Sequence, residues 1–321
     1  MCLLVFPPRV FRSLLSKALT LCLTFGAWVG NPQAGSAAEA AQSGDAVIRA
    51  PFGNSEIVIT TTSRLAGAIH SVTWKEREFI DSEDHGRQLQ SAASFDNTPE
   101  AVPETFNPTE AGCRLDGAGP HSTSRVLAVS TAGNVLRTRT QMAFWLSPGE
   151  RSAGQLARNT FPVSAHLLEK EVRLGAFGLA NVLDYTVTFH TPPDEPHRTA
   201  QFEALTGYMP PEFSVFHRFV RATGKLELLS DGPGEQSEPV VLATPDGQFA
   251  MGVISIEAPP AGASRPSYGR FRFTQEKVVK WNCVFRMHDD VKPGAYRFRM
   301  FVALGTLADV EKALSFLTTR P

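Results

Sequence analysis

Apolar and polar residues alternate at period two along much of this chain, and that alternation limits what it can fold into. Residues 182–190 (VLDYTVTFH) show it most cleanly, and residues 168–174 repeat it with charged residues in the alternate places. Such spacing puts successive side chains on opposite faces of a strand, one toward a core and one toward polar surroundings. Further strand signals lie at residues 56–62, 68–74, 125–130, 135–145, 249–256, 268–273, 278–285 and 296–304, several of them bounded by glycine turns. Helix signals are few. The clearest is residues 306–317, where Thr306 and Asp309 are placed for a capping box and Leu307, Val310, Leu314 and Leu317 fall on one stripe. Many closely spaced strands with few helices predict a mostly β protein of antiparallel sheets packed face to face. No repeat of fixed period and no long Pro/Ser linker interrupts the pattern, so residues 41–321 are expected to form a single domain.

The N-terminus reads differently. Arg9, Arg12 and Lys17 precede an apolar run over residues 18–29, followed by the small residues Ala34-Gly-Ser-Ala-Ala38. This is the order of a secretory signal, and the run is shorter than the ~20 residues of a membrane span. Residues 1–40 are therefore expected to be a signal peptide and leader, and the mature chain to be periplasmic or secreted. A formal net charge of −1 over 321 residues, with no basic block, argues against a nucleic-acid partner. Cys2 and Cys22 fall in the leader. Cys113 and Cys283 remain, either paired or as buried free thiols, since two cysteines define no framework. There is no metal-binding cysteine cluster, and no GxSxG, HExxH, phosphate-loop or dinucleotide fingerprint. No metal or cofactor is expected.

Polar side chains crowd into Asp84-His85-Gly86-Arg87-Gln88-Leu89-Gln90 and, some twenty residues on, Asn107-Pro108-Thr109-Glu110-Ala111-Gly112. This is the composition of a polar ligand site. His85 has the chemistry of an acid/base at neutral pH, with Asp84 to orient it. Arg87 offers a planar fork for a carboxylate or vicinal hydroxyls. Gln88, Gln90 and Asn107 add donors and acceptors suited to sugar hydroxyls. Glu110, in a bent segment, is the candidate second acid/base, with Arg114 as its ion-pair partner. The alternative is a loop that satisfies its own backbone, with Glu110 a turn acid. A third cluster holds Glu203, Tyr208 and Glu212 near His217, while Phe213, Phe216 and Phe219 read as core. On the strand at 278–285, Lys280 and Asn282 share one face and Trp281, Cys283 and Phe285 the other. A buried ammonium or amide face is costly without a ligand or an acid, so Lys280 and Asn282 are candidate contacts unless that face is solvated.

Residues 64–79 (RLAGAIHSVTWKEREF) and 292–299 (KPGAYRFR) resemble the opening hairpin and closing strand of the galactose mutarotase-like (aldose 1-epimerase-like) superfamily. The resemblance implies an antiparallel β-supersandwich with few short helices, and a sugar or polysaccharide as ligand. In that family an early arginine binds sugar hydroxyls, a histidine serves as acid and a late glutamate as base. Arg87 stands at a similar place to the arginine. Phe285 stands where the glutamate is expected, and the family's Asn-x-x-His-Gly motif has no counterpart. The resemblance therefore implies the scaffold and the ligand class rather than ordinary aldose 1-epimerisation.

The combined expectation is an exported carbohydrate-active protein doing epimerase- or lyase-like acid/base chemistry. His85 and Glu110 would be catalytic, and Arg87, Gln88, Gln90, Asn107, Glu203, Tyr208, Lys280 and Asn282 would bind substrate. The alternatives are a non-catalytic carbohydrate-binding protein, or a glycoside hydrolase pairing Glu110 with Glu203 or Asp231.

Overall fold

The computed structural model describes residues 43–96 and 104–320. The expected signal peptide lies outside the described residues. Among these, no helix is long and apolar enough to cross a membrane.

The strands pair antiparallel throughout, in two long runs. The first sheet runs Ala46–Phe52, Ser55–Thr61, Ile69–Trp74, Leu89–Phe95, Ala200–Met209, Val278–Met287, Ser267–Phe273 and Gly234–Gln236. The second runs Arg125–Ala132, Val135–Phe144, Val163–Leu174, Val182–Thr191, Gly294–Gly305, Ala250–Ile254, Val240–Ala243, Val215–Val220 and Lys225–Leu228. The two-residue strand Pro108–Thr109 joins them, pairing with Ala92 on one side and with Ala143 and Phe144 on the other. The inward rows of both sheets share one apolar core, including Phe95, Phe202, Trp281 and Phe285 from the first and Leu168, Tyr185, Phe189 and Phe298 from the second. This is the β-supersandwich that the sequence implies.

Close packing in that core depends on one glycine. Gly207 pairs directly with Trp281 on the neighbouring strand. A Cβ added at Gly207 would lie 2.4 Å from the indole, so any other residue would push Trp281 off its place. Phe213, Phe216 and Phe219 are buried, as the sequence predicts. Cys113 and Cys283 are both buried free thiols.

The helix Leu307–Thr318 has the predicted capping box. Asp309 N donates to Thr306 Oγ1 (3.2 Å), and Thr306 N donates to Asp309 Oδ2 (3.0 Å). Its buried residues Val310, Leu314 and Leu317 pack on Val241, Ile254 and Phe301 of the second sheet. The strand Gly294–Gly305 is thus buried on both faces, with Phe298, Met300 and Val302 toward the sandwich core and Phe301 and Ala303 toward the helix cluster.

Candidate functional site

The outward rows of three adjacent first-sheet strands form the floor of a cleft of about 510 Å³, a size suited to a small ligand. Leu89–Phe95 contributes Gln90 and Ala92, Ala200–Met209 contributes Glu203, Thr206 and Tyr208, and Val278–Met287 contributes Val278 and Lys280. Pairing slips between Glu203 and Leu205, and this irregularity brings both Glu203 and Thr206 to the cleft despite their odd spacing. The walls come from Asp84, Gly86 and Arg87, from Glu104 and Asn107, from Trp145 and Arg114, and from Phe273 and Glu276.

An ion pair organises the floor. Lys280 Nζ lies 3.1 Å from Glu203 Oε2, with side chains 12% and 23% exposed. Thr206 Oγ1 donates to the same carboxylate oxygen (2.7 Å), and Asn282 also hydrogen-bonds Glu203. Burial alone would raise the pKa of Glu203, but the Lys280 ammonium and these hydrogen bonds outweigh it and hold the carboxyl below the usual glutamate value. For Lys280, burial acts downward and Glu203 and Tyr208 act upward, so the net displacement is up. Its ammonium also lies 5.2 Å from the Tyr208 ring centre and 5.4 Å from that of Phe271. Burial raises the Tyr208 phenol.

Glu104, also lining the cleft, responds the other way. Burial pushes its carboxyl up, Lys280 pulls it partly back, and the Glu203 charge adds to the rise. The Trp145 indole hydrogen-bonds it. One cleft therefore holds a carboxyl biased toward the neutral acid and another held as the carboxylate, the separation that divides acid and base roles.

Two amide oxygens complete the wall. Gln90 is buried, and its Nε2 donates to Gly86 O (2.9 Å). Gln90 Oε1 and Asn107 Oδ1 have no partner among the described residues. A buried acceptor is costly unless a donor reaches it, which suits a ligand carrying hydroxyl groups.

Of the residues singled out from sequence, Arg87, Gln90, Asn107, Glu203, Tyr208 and Lys280 all line the cleft. His85, Gln88, Glu110 and Asn282 do not. His85 is buried, with Nδ1 2.7 Å from Gly117 O and Nε2 2.9 Å from Arg64 O, so both ring nitrogens face backbone carbonyls. Glu110 is fully buried against Lys170, with Ser91 N donating to its Oε2 (3.1 Å). Its expected partner, Arg114, instead meets Glu150 (2.7 Å). Gln88 is buried and donates to the Asp84 carbonyl. Asn282 is also buried; its Oδ1 accepts from Gly269 N (2.9 Å) and its side chain supports Glu203 rather than reaching the cleft. Glu212 pairs with Arg77 at the surface (3.0 Å). Arg87 lines the cleft but is engaged, 3.0 Å from Asp84 and 3.7 Å from Asp81.

Sequence reasoning missed Glu104, Trp145 and Thr206. Glu104 and Trp145 carry no local motif. Thr206 is hidden by the slip in pairing, which breaks the period-two rule.

No protein-family model matches this chain, and no curated protein matches it in sequence. Solved structures show partial likeness. The Slr1438 protein from Synechocystis sp. is 12% identical over 81% of this chain and 96% of its own, with a TM-score of 0.42. A Klebsiella pneumoniae protein provisionally assigned as an aldose 1-epimerase is 11% identical over 86% of this chain and 91% of its own, at 0.43. The heparinase III BT4657 gene product is 10% identical, at 0.42; the match covers 83% of this chain and 35% of that one. At these scores the likenesses decide nothing about the chemistry of the cleft.

Proposed function

We propose that the cleft binds a neutral saccharide and transfers protons at its anomeric centre, with Glu104 as the acid and Glu203 as the base. The observation that carries this reading is the opposed bias of two carboxyls in one cleft, Glu104 toward the neutral form and Glu203 toward the charged one. In an epimerisation of this kind Glu203 takes the proton of the anomeric hydroxyl while Glu104 protonates the ring oxygen. The ring C–O bond breaks, the sugar opens and rotates, and the reverse transfers close the other anomer. Gln90 Oε1 and Asn107 Oδ1 accept from hydroxyl groups, and Trp145 offers an aromatic face to the apolar side of the ring.

Charge supports a neutral substrate. Asp84, Glu104, Glu203 and Glu276 line the cleft against Arg87, Arg114 and Lys280, and each of these three cations is already paired with an acid. A lyase acting on a uronate needs an uncommitted cation for the substrate carboxylate, so the lyase-like option is the weaker one.

The test measures affinity and anomer exchange over a panel of neutral monosaccharides. Glu104→Gln should lower turnover by ~10²-fold or more while leaving affinity unchanged. Undiminished turnover in that variant would remove the assignment. A binding-only role is favoured by one observation: Glu203 already accepts from Lys280 and Thr206, which lowers its basicity. Saccharide binding by the wild type with no anomer exchange would establish that second reading.

A further inference from the structure

We propose that His166, Glu195 and His197 form a divalent-metal site of the zinc class, with Asp96 orienting His197 from behind. This site is separate from the cleft and does not depend on the reading of it.

The strand Val163–Leu174 sends His166 inward, in phase with Leu168, Val172 and Leu174. Glu195 and His197 lie on the connection after Val182–Thr191, and His197 is fixed there by an antiparallel bridge to Val291. One ligand atom from each of the three lies within 4.8 Å of the others. Glu195 Oε1 is the shared point, 3.2 Å from His197 Nε2 and 3.8 Å from His166 Nε2.

Two observations separate this cluster from a chance grouping. His166 is 2% exposed, yet neither ring nitrogen has a hydrogen-bond partner among the described residues. A buried imidazole with both nitrogens unmatched is costly, and a metal would take one lone pair. The second is the support of His197. Asp96 Oδ2 lies 2.9 Å from His197 Nδ1, while Asp96 Oδ1 accepts from Arg198 N (2.7 Å). A carboxylate on one imidazole nitrogen, turning the other toward a common point, is the outer-sphere arrangement of metal-bound histidines. Phe95 stacks on His197 at 4.2 Å between ring centres, which fixes the ring plane.

The donor set names the metal class. Two imidazoles and one carboxylate suit zinc, with a fourth position left for water, and do not suit calcium or magnesium, which take oxygen donors. Glu195 is 31% exposed and gives the ion its way in. Because His166 belongs to the second sheet and Asp96 directly follows the strand Leu89–Phe95 of the first, a bound ion would tie the two sheets together, and binding would appear as added stability.

The test uses the full chain, stripped with a chelator and titrated with Zn²⁺ against a chromophoric competitor, and with Co²⁺ for its visible spectrum. Wild type should bind one equivalent, give the intense bands of four-coordinate Co²⁺, and melt at a higher temperature with Zn²⁺ than without. Asp96→Asn should weaken binding by ~10-fold or more. Glu195→Gln, at a partly exposed position that tolerates change, should weaken it and alter the Co²⁺ bands. His166→Phe, which places a ring among Phe95 and Phe106, should fold and lose both binding and the zinc-dependent rise in melting temperature. Failure of wild type to bind Zn²⁺, or binding of unchanged affinity in both His166→Phe and Glu195→Gln, would overturn the proposal.

Discussion

Lys170 and Glu110 form an ion pair inside the sandwich, with both side chains fully buried. Lys170 lies on the inward row of the second sheet. Glu110 follows the two-residue strand that joins the sheets and also accepts from Ser91 N of the first. Ser91 Oγ in turn lies 3.0 Å from Tyr185 Oη, whose pKa is raised by burial and by the Glu110 charge. Removing one partner leaves the other charge in the core without compensation. Glu110→Ala or Lys170→Ala should therefore cost about 3–5 kcal/mol of unfolding free energy, measured by urea denaturation. Glu110→Leu combined with Lys170→Met should recover most of that loss, because paired burial of charge gains little over apolar packing. If Glu110 had a catalytic role, the double variant would fold but fail in turnover; full turnover is the expected result.

The two cleft carboxyls give opposite pH signatures. Glu104 has a folded-state pKa above the ordinary 4.5 for glutamate, so its contribution to stability is complete below 4.5 and is lost as pH rises through the folded value. Glu203 has a folded-state pKa below 4.5, so its contribution is present above 4.5 and is lost as pH falls through the folded value. Unfolding free energies of wild type, Glu104→Gln and Glu203→Gln across the acid range should show the wild type losing ground to Glu104→Gln as pH rises, and to Glu203→Gln as pH falls. In turnover, the alkaline limb should follow Glu104 and the acid limb Glu203.

Much of the fold is written in period two. Ser55–Thr61, Val135–Phe144, Val182–Thr191 and Gly294–Gly305 all fall where alternation or β-branched runs predict them. The strands Leu89–Phe95 and Ala200–Met209, which carry much of the cleft floor, read instead as polar ligand segments. The first reads LQSAASF, short of β-branched residues, and the second contains a slip in pairing that breaks the alternation. Their outward residues Gln90, Glu203 and Tyr208 were legible as polar candidates because their chemistry is local. His85 and Glu110 turn away from the cleft, which residue type cannot foretell, since it reveals reactivity but not which way a side chain turns. Lys170 carried a usable signal: a cation in phase with Leu168, Val172 and Leu174 on a buried row calls for a buried acid. Glu104 and Trp145 had none, since only the fold brings them to Lys280.

Gly86 sets the position of the Trp145 indole. A Cβ at residue 86 would lie 2.8 Å from Trp145 Cη2, at the far tip of the ring. The indole must swing away if that methyl group is added, taking with it the hydrogen bond to Glu104. Gly86→Ala should therefore weaken saccharide binding and raise the pH of the alkaline limb, since the lost hydrogen bond had held the Glu104 carboxyl down, while changing unfolding free energy by no more than ~1 kcal/mol, as for a substitution relieved by one side chain. Titration calorimetry and a pH–rate profile on the same preparation check both effects. Trp145→Ala should reproduce the affinity loss.

His85 separates structural from chemical importance. It is buried, and its ring spans from the Arg64 carbonyl to the Gly117 carbonyl, joining the turn after Ser55–Thr61 to the loop following residue 114. His85 N also donates to Gly117 O (2.9 Å), so that carbonyl holds the 84–87 segment in place from two sides. Asp84, Gly86 and Arg87 from that segment form one cleft wall. His85→Ala takes the ring from the Arg64 carbonyl, while Gly117 O keeps the residue 85 backbone N–H; a lost partner of this kind is worth about 1–3 kcal/mol, so the melting temperature should drop. The cleft wall should loosen with it, raising KM. Well below the melting temperature, kcat and the pH values of both limbs should stay at their wild-type levels, because no proton passes through the ring. A lost limb in the pH–rate profile of His85→Ala would instead place the imidazole in the reaction.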